Sequence, residues 1–385
     1  MTVRTKYSIF KISTSIGTIL CFFAIFFHTN AVLSHVEKCE PNSVVYTEQP
    51  TDYDANNSIE IEKIKKRVQE FLSLDSANPM TQNPHIYYNI INEILQYDAL
   101  ADIAEQVVKK GIAVNTEENL SKSYPDMSES EIMHQQNLEY GRLYSQYAWI
   151  LWKKNQLGNA FDIVHKTMNY SSLKTPDDYL RLGIIEYNNG KKQQGWQHIT
   201  KALLEDTIIE VQDPGYRKAI SDIIKNKFGA KQDLAAFLSE YRTQNAQIIP
   251  DINLSTSKSI GINLRKQKGK VVFVNFFSPT CSSCQQEIPR IKNLYDKYST
   301  NDNVIFIFIL NRPNMMQEGI SLFEKSGIDK PVITILTEGS IWEFISVEPS
   351  VWLADKTGKL VFKHSGYKDN DESIYERELS KLIMD

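Results

Sequence analysis

The chain has 385 residues, enough for two or three domains, and its 19 Tyr and 17 Phe residues can fill substantial cores. The 43 Lys and Arg residues against 47 Asp and Glu residues give a formal net charge of -4, which offers no electrostatic basis for binding nucleic acid. Four cysteines are too few for a small scaffold held together by disulfides.

The first 34 residues are typical of a targeting segment. Basic residues at positions 4, 6 and 11 precede an apolar run at residues 16–27, which is short for a bilayer span. Small residues follow around Ala31, so we expect cleavage as a signal peptide, with an uncleaved membrane anchor left open. Both alternatives predict export to the periplasm or another extracytoplasmic compartment, where disulfides persist.

Residues 35–57 are polar, contain Pro41 and Pro50, and are predicted to form a linker. Cys39 lies in this stretch. It is either a bystander thiol or, as the unpaired cysteine of the processed chain, a candidate for an intermolecular bridge.

Helical periodicity dominates residues 58–245, and strand signals there are sparse. A shift of 35 residues aligns small or turn-forming residues with one another: Ala148 with Gly183, Asn155 with Gly190, Ala160 with Gly195, and Thr167 with Ala202. Residues 147–168 and 179–204 therefore resemble tetratricopeptide (TPR) repeats, although Glu186 and Trp196 fit that pattern poorly. We expect an all-α, TPR-like domain that either binds a peptide or protein partner or acts as a spacer.

Residues 250–385 change in character. Apolar runs at 271–277 and 304–310 predict strands buried on both faces, with shorter strands expected near 252–254, 260–264, 332–336, 351–354 and 360–363. Helices are predicted after residue 281, at 317–325 and at 372–383. This order of elements predicts an α/β domain with a central mixed sheet flanked by helices.

Two cysteines, Cys281 and Cys284, stand where the strand at 271–277 gives way to a helix. Free N–H groups and the positive end of a helix dipole stabilise a thiolate at this position, and a second thiol one turn later can close a disulfide with it. The pattern indicates dithiol–disulfide exchange. Zinc binding would need two further ligands that the neighbouring sequence lacks, and simple packing of the two cysteines is the other alternative.

Three separated motifs carry a family resemblance: the stretch 269–277 before the cysteines, Cys281-Ser-Ser-Cys284 followed by Glu287, and the stretch 348–359 around Pro349. With these motifs, residues 250–385 resemble the thioredoxin superfamily, and within it the exported TlpA/ResA-like thiol-disulfide oxidoreductases. The similarity covers about the last third of the chain.

The resemblance implies four catalytic residues. Cys281 would be the exposed nucleophile and Cys284 the buried resolving thiol, while Pro349 would be cis and pack against the sulfurs. Glu287 would handle protons beside the dithiol, since Asn275 replaces the buried acid of cytoplasmic thioredoxins; an ordinary surface glutamate is the alternative.

Two features depart from the family pattern. Thr280 replaces the usual Trp, and Ser282-Ser283 replaces the usual Gly-Pro. Glu348, directly before Pro349, adds negative charge, and we expect it to make Cys281 less acidic and the couple more reducing.

We therefore predict an exported thiol-disulfide oxidoreductase that reduces or isomerises disulfides in proteins and takes electrons from a membrane donor or another reductant protein. No cofactor and no metal are expected. The alternative is a non-enzymatic scaffold whose helical repeats bind a partner. A third hypothesis, copper binding by the dithiol with His364, has little support, because His364 is expected at the surface of a late strand.

Overall fold

The structure, a computed structural model, describes residues 53–170, 175–209, 213–229, 233–256, 261–368 and 371–384. The predicted targeting segment, Cys39 and nearly all of the predicted linker lie outside these ranges. Within the described ranges, no helix combines the length and the apolar character needed to cross a bilayer. Ala55–Asp385 forms one compact unit, in which a helical region (residues 55–245) precedes a sheet region (residues 246–384).

The helices of the first part follow one another with short connections. In chain order they are α1 (Tyr53–Leu72), α2 (Pro79–Gln82), α3 (Pro84–Ile94), α4 (Ala101–Val114), α5 (Glu117–Ser123), α6 (Glu129–Lys153), α7 (Leu157–Tyr170), α8 (Pro176–Asn188), α9 (Lys192–Glu205), α10 (Pro214–Phe228) and α11 (Leu234–Asn245). Capping boxes begin two of them, Ser128 with Glu131 at α6 and Thr175 with Asp178 at α8, so local sequence fixes where these helices start.

The pairs α6–α7 and α8–α9 carry the repeated spacing. Asn155 and Gly190 occupy equivalent turns and both have positive φ, 57° and 88°. A Cβ added to Gly183 would lie 2.6 Å from the carbonyl oxygen of Gly195, so the α8 and α9 backbones approach each other too closely for a larger residue. Both helix pairs thus have small residues at the predicted positions, while their assignment as TPR units stays a prediction.

Glu186, which fits a TPR poorly, is fully buried in α8. Its carboxylate lies 2.7 Å from His198 Nδ1 on α9 and 3.7 Å from His165 Nε2 on α7. A buried carboxylate with a hydrogen-bond partner is tolerated, and this contact joins successive helices.

The sheet region contains seven described strands: β1 (Asn253–Thr256), β2 (Gly261–Asn263), β3 (Val271–Phe277), β4 (Val304–Leu310), β5 (Ile333–Leu336), β6 (Ser350–Ala354) and β7 (Leu360–Ser365). Their order is β2-β1-β5-β4-β3-β6-β7. β3, β4 and β5 run parallel, and the remaining neighbours are antiparallel. Helices α12 (Ser282–Tyr298), α13 (Met316–Lys325) and α14 (Asp371–Met384) complete the region. The predicted fold class, helices followed by a mixed sheet with flanking helices, is confirmed.

β3 lies inside the sheet and all seven of its residues are buried. Alternate side chains enter different cores: Phe273 and Phe277 pack with α12 and α14 residues such as Ile288 and Tyr375, while Phe276 joins the opposite core. Because β3 is covered on both faces, its end at Phe277 is held rigidly, and the residues that follow it are placed with precision.

Candidate active site

The two cysteines lie at the start of α12. Cys281 is the N-cap residue of this helix, and its Sγ accepts a hydrogen bond from the Cys284 backbone N–H at 3.2 Å. The two side chains form a disulfide, with their Cα atoms 5.2 Å apart. Cys284 is fully buried, whereas Cys281 is partly exposed between the exposed residues Thr280 and Ser282. Within the pair, Cys281 is therefore the cysteine that retains some exposure to solvent.

Glu287 lies one helical turn after Cys284 on the same face of α12 and is fully buried. Its carboxylate accepts a hydrogen bond from Asn275 Nδ2 at 2.7 Å and another from the Tyr375 hydroxyl at 3.0 Å. Burial raises the pKa of Glu287 to about 7, and the two hydrogen bonds oppose that rise. The alternative of an ordinary surface glutamate is therefore wrong, because β3 and α14 cover this side chain.

A loop before β6 packs beside Cys281. The Glu348–Pro349 peptide bond is cis, as the family resemblance implied, and the Glu348 carbonyl oxygen lies 3.7 Å from Cys281 Sγ. The Pro349 carbonyl accepts a hydrogen bond from Gly366 N–H at 2.7 Å, so this oxygen is already used within the fold. Of the two carbonyls, the one at Glu348 is the one that faces the sulfur.

The Glu348 side chain is itself largely buried. Burial raises its pKa to about 7, opposed by a hydrogen bond from Asn311 and by the nearby charge of Arg312. Its Oε1 atom is buried and has no hydrogen-bond partner among the described residues. The negative charge on Glu348 is therefore pH-dependent and develops near neutrality, while the atom of Glu348 that contacts Cys281 Sγ is the backbone carbonyl oxygen.

His364 is not at the surface, and the prediction that placed it there is wrong. It is 1% exposed, with Asp206 on one ring nitrogen and Asp371 on the other. The physical reason is the alternation along β7, where Leu360, Phe362 and His364 point into the core in turn. That two-residue period was available in the sequence and identifies the inward histidine.

Tyr375 and Asp371 were missed by the sequence analysis as site residues. They lie four residues apart at the start of α14, and both are buried. Helical spacing places them on one face, but nothing in the local sequence indicates that this face meets Glu287 and His364.

Part of this chain is similar to a known protein family and to proteins of known structure. The family model named Redoxin matches residues 244–379. These residues are a Redoxin domain. The domain accounts for the C-terminal third of the chain.

Relatives of the Redoxin domain include two proteins named thiol-disulfide oxidoreductase ResA. The one from Halalkalibacterium halodurans is 27% identical over 106 residues, which is 27% of this chain and 59% of the relative. The one from Bacillus thuringiensis is 23% identical over 158 residues, covering 41% of this chain and 90% of the relative. The chain is thus similar to these ResA proteins over 27–41% of its own length, and it spans 59% of the relative from Halalkalibacterium halodurans.

Two solved structures are also similar to this part of the chain. The thioredoxin domain of a thiol-disulfide oxidoreductase from Bacteroides vulgatus is 20% identical, covers 35% of this chain and 96% of that one, and has a TM-score of 0.30. A secreted disulfide oxidoreductase from Mycobacterium tuberculosis is 18% identical, covers 34% and 96%, and has a TM-score of 0.29.

Proposed function

We propose that this protein is an exported thiol-disulfide oxidoreductase that uses Cys281 and Cys284 to reduce or isomerise protein disulfides. One observation carries the proposal: the two sulfurs are bonded at the N-terminus of a 17-residue helix, where Cys284 is fully buried and Cys281 is partly exposed. The backbone N–H at 3.2 Å from Cys281 Sγ would also stabilise a thiolate there. The relatives named thiol-disulfide oxidoreductase support the same chemistry.

The reaction begins with the reduced dithiol. The Cys281 thiolate attacks one sulfur of a substrate disulfide; that S–S bond breaks, a mixed disulfide forms, and the first substrate sulfur leaves as a thiolate that takes a proton from solvent. Cys284 then loses its proton and attacks Cys281 Sγ, which closes the Cys281–Cys284 disulfide and releases the second substrate thiolate. The substrate gains two electrons and two protons, and a donor dithiol must return them to the enzyme.

Glu287 is the residue we assign to proton transfer for Cys284. A buried thiol needs a base to lose its proton, and a carboxylate with a pKa of about 7 can accept one and later return it near neutral pH. Tyr375 and Asn275 hold that carboxylate on the side of α12 that also carries Cys284. The released proton would pass from Glu287 to the departing substrate thiolate.

The partners follow from this chemistry. The substrate is a protein with an accessible disulfide, and the electron donor is a membrane protein or a reductant protein in the same compartment. The basic and apolar pattern of residues 1–34 supports export, where such disulfides are found. The TPR-like helical region would bind one of these partners.

Insulin reduction driven by a small dithiol tests the proposal. We expect Cys281→Ser to lower turnover to the rate of the dithiol alone and Cys284→Ser to accumulate a mixed disulfide, because each removes one half of the exchange. Cys39→Ser is the matched control, since it removes a cysteine outside the pair and should leave turnover unchanged. Wild-type turnover that does not depend on Cys281 would refute the proposal and favour the scaffold alternative.

A further inference from the structure

Asp206 belongs to the helical region, where it caps the C-terminus of α9, yet its carboxylate lies in the Redoxin domain. Its two oxygens lie 3.2 and 3.1 Å from His364 Nδ1, and one of them accepts a hydrogen bond from Ser365 N–H at 3.3 Å. Asp206 and His364 are each 1% exposed. Removing two ionisable groups from water this completely costs folding free energy unless each group is paired. The contact between Asp206 and His364 is therefore a specific one.

The residues that follow Asp206 also contact β7 and the core of the Redoxin domain. The Thr207 N–H and hydroxyl both donate to the Lys363 carbonyl, at 2.7 and 2.9 Å, and Ile208 packs in the core that also contains Cys284. The helical region therefore reaches the core behind the cysteines with both a charge and an apolar side chain.

A chain of contacts leads from Asp206 to the proposed proton carrier. His364 Nε2 lies 3.0 Å from Asp371 Oδ2, at the first residue of α14. One turn later on that helix, the Tyr375 ring lies 6.1 Å from the His364 ring, and its hydroxyl donates to Glu287 at 3.0 Å. Glu287 is on the helix face that carries Cys284.

We propose that Asp206 is a positioning residue of the thiol-disulfide site: it holds His364 as a buried cation, and that cation sets the charge around the Glu287–Tyr375 pair behind Cys284. The inference rests on the proposed function. It makes the helical region a part of the redox machinery, in addition to any role in binding partners.

The charges on this cluster have a definite sign. Burial alone would lower the pKa of His364, but Asp206 and Asp371 outweigh it and raise the pKa to about 10, so the ring is cationic at neutral pH. The ionisable groups around the ring are Asp206, Asp371, Tyr375 and Glu287, and Lys363 adds a further charge that interacts with Asp206. The His364 cation lowers the pKa of Glu287 against the larger effect of burial, and Asp371 raises it.

Asp206→Asn should therefore lower the pKa of His364, and at pH values where the ring becomes neutral it no longer lowers the pKa of Glu287. In the full-length chain, we expect the His364 ring signals in NMR to titrate at lower pH than in wild type. We also expect the midpoint of the pH profile for insulin reduction to move to higher pH. His364→Gln, which removes the cation directly, should move the profile in the same direction.

Two control variants separate this charge effect from loosened packing. Asp213→Asn changes another buried aspartate, which pairs with Trp149 and Lys153 inside the helical region, and it should leave the pH profile unchanged. Thr207→Val removes the two hydrogen bonds between the Thr207 hydroxyl and the Lys363 backbone and keeps the bond from the Thr207 N–H, so it should lower stability without moving the profile.

The outcomes are distinct. An unmoved or lowered midpoint in Asp206→Asn, or an equal shift in Thr207→Val, overturns the inference even when turnover depends on Cys281. Turnover that does not depend on Cys281 refutes the proposed function instead, and the His364 titration still reports whether Asp206 holds the ring cationic.

Discussion

Replacing Glu287 by glutamine should stabilise the protein and slow its chemistry, and both effects follow from one buried carboxyl. Burial raises the pKa of Glu287 from 4.5 to about 7. Between these values the folded protein binds the proton more tightly than the unfolded chain does, so the contribution of Glu287 to stability falls as pH rises. The pKa of Glu287 in the folded protein is thus about 2.5 higher than in the unfolded chain, which corresponds to about 3 kcal/mol of unfolding free energy.

Glutamine has no charge to lose, and the site can accommodate it. Its side-chain oxygen can accept one of the hydrogen bonds that Asn275 and Tyr375 now donate to Glu287. Its amide can donate to Asn275 Oδ1, which is buried and has no hydrogen-bond partner among the described residues. The substitution therefore removes a buried charge without emptying the space it occupied.

Urea unfolding of the oxidised chain at about pH 4.5 and about pH 8 measures the effect. We expect nearly equal stability at the lower pH and a variant more stable by about 3 kcal/mol at the higher pH. Glu324→Gln, at an exposed position on α13, is the control and should show no comparable gain. A difference that is the same at both pH values would refute the linkage argument.

The same variant tests the proton-transfer role. General acid–base groups typically contribute at least about a hundredfold to rate, so we expect insulin reduction to fall by roughly that factor in Glu287→Gln. Since the variant is expected to be more stable near pH 8, lost activity there could not be ascribed to unfolding. Unchanged turnover would exclude Glu287 as the proton carrier.

Three further predictions concern other parts of the structure. Glu348→Gln should lower the thiol pKa of Cys281, because it removes a carboxylate that is charged above about pH 7. Thiolate absorbance in the ultraviolet measures this thiol pKa, and an unchanged or higher value would contradict the prediction. Gly183→Ala should cost about 1–3 kcal/mol in urea unfolding, because its Cβ would lie 2.6 Å from a backbone oxygen of α9, whereas Gly158→Ala, in open space on α7, should not destabilise. The pKa of His364 is raised from 6.5 to about 10, so the contribution of this histidine to stability is complete below about pH 6.5 and is lost as pH rises through about 10. Urea unfolding measures this alkaline loss of stability, and a His364→Gln protein that still shows it would contradict the prediction.

Much of the sheet region was predictable because its signals are local. The apolar runs at 271–277 and 304–310 coincide with the observed bounds of β3 and β4. Two neighbouring strands that are buried on both faces need nearly every residue apolar, so composition alone marks them. Of the strand expected at 260–264, the structure describes residues 261–264, and there β2 ends at Asn263 because a short 3-10 helix begins at Leu264.

Some residues of the candidate site can likewise be predicted from local sequence, and others cannot. Cys281, Cys284 and Glu287 lie within seven residues at the start of one helix, and the sequence alone brings them together. Pro349 was added by family resemblance, since nothing local to it refers to the cysteines. His364 was misplaced because it was treated as an isolated histidine on a strand, without regard to the alternating pattern of Leu360 and Phe362.

By itself, the sequence determined the order of helices and strands and the helix-tip position of the dithiol, since periodicity, caps and spacing act over a few residues. Only the tertiary structure decided what lies behind the sulfurs. Asp206 and His364 are 158 residues apart and meet because α9 docks against β7, while Tyr375 reaches Glu287 from the last helix. Contacts of this range leave no local pattern, because the burial and charge pairing that stabilise them exist only once the two regions have packed together.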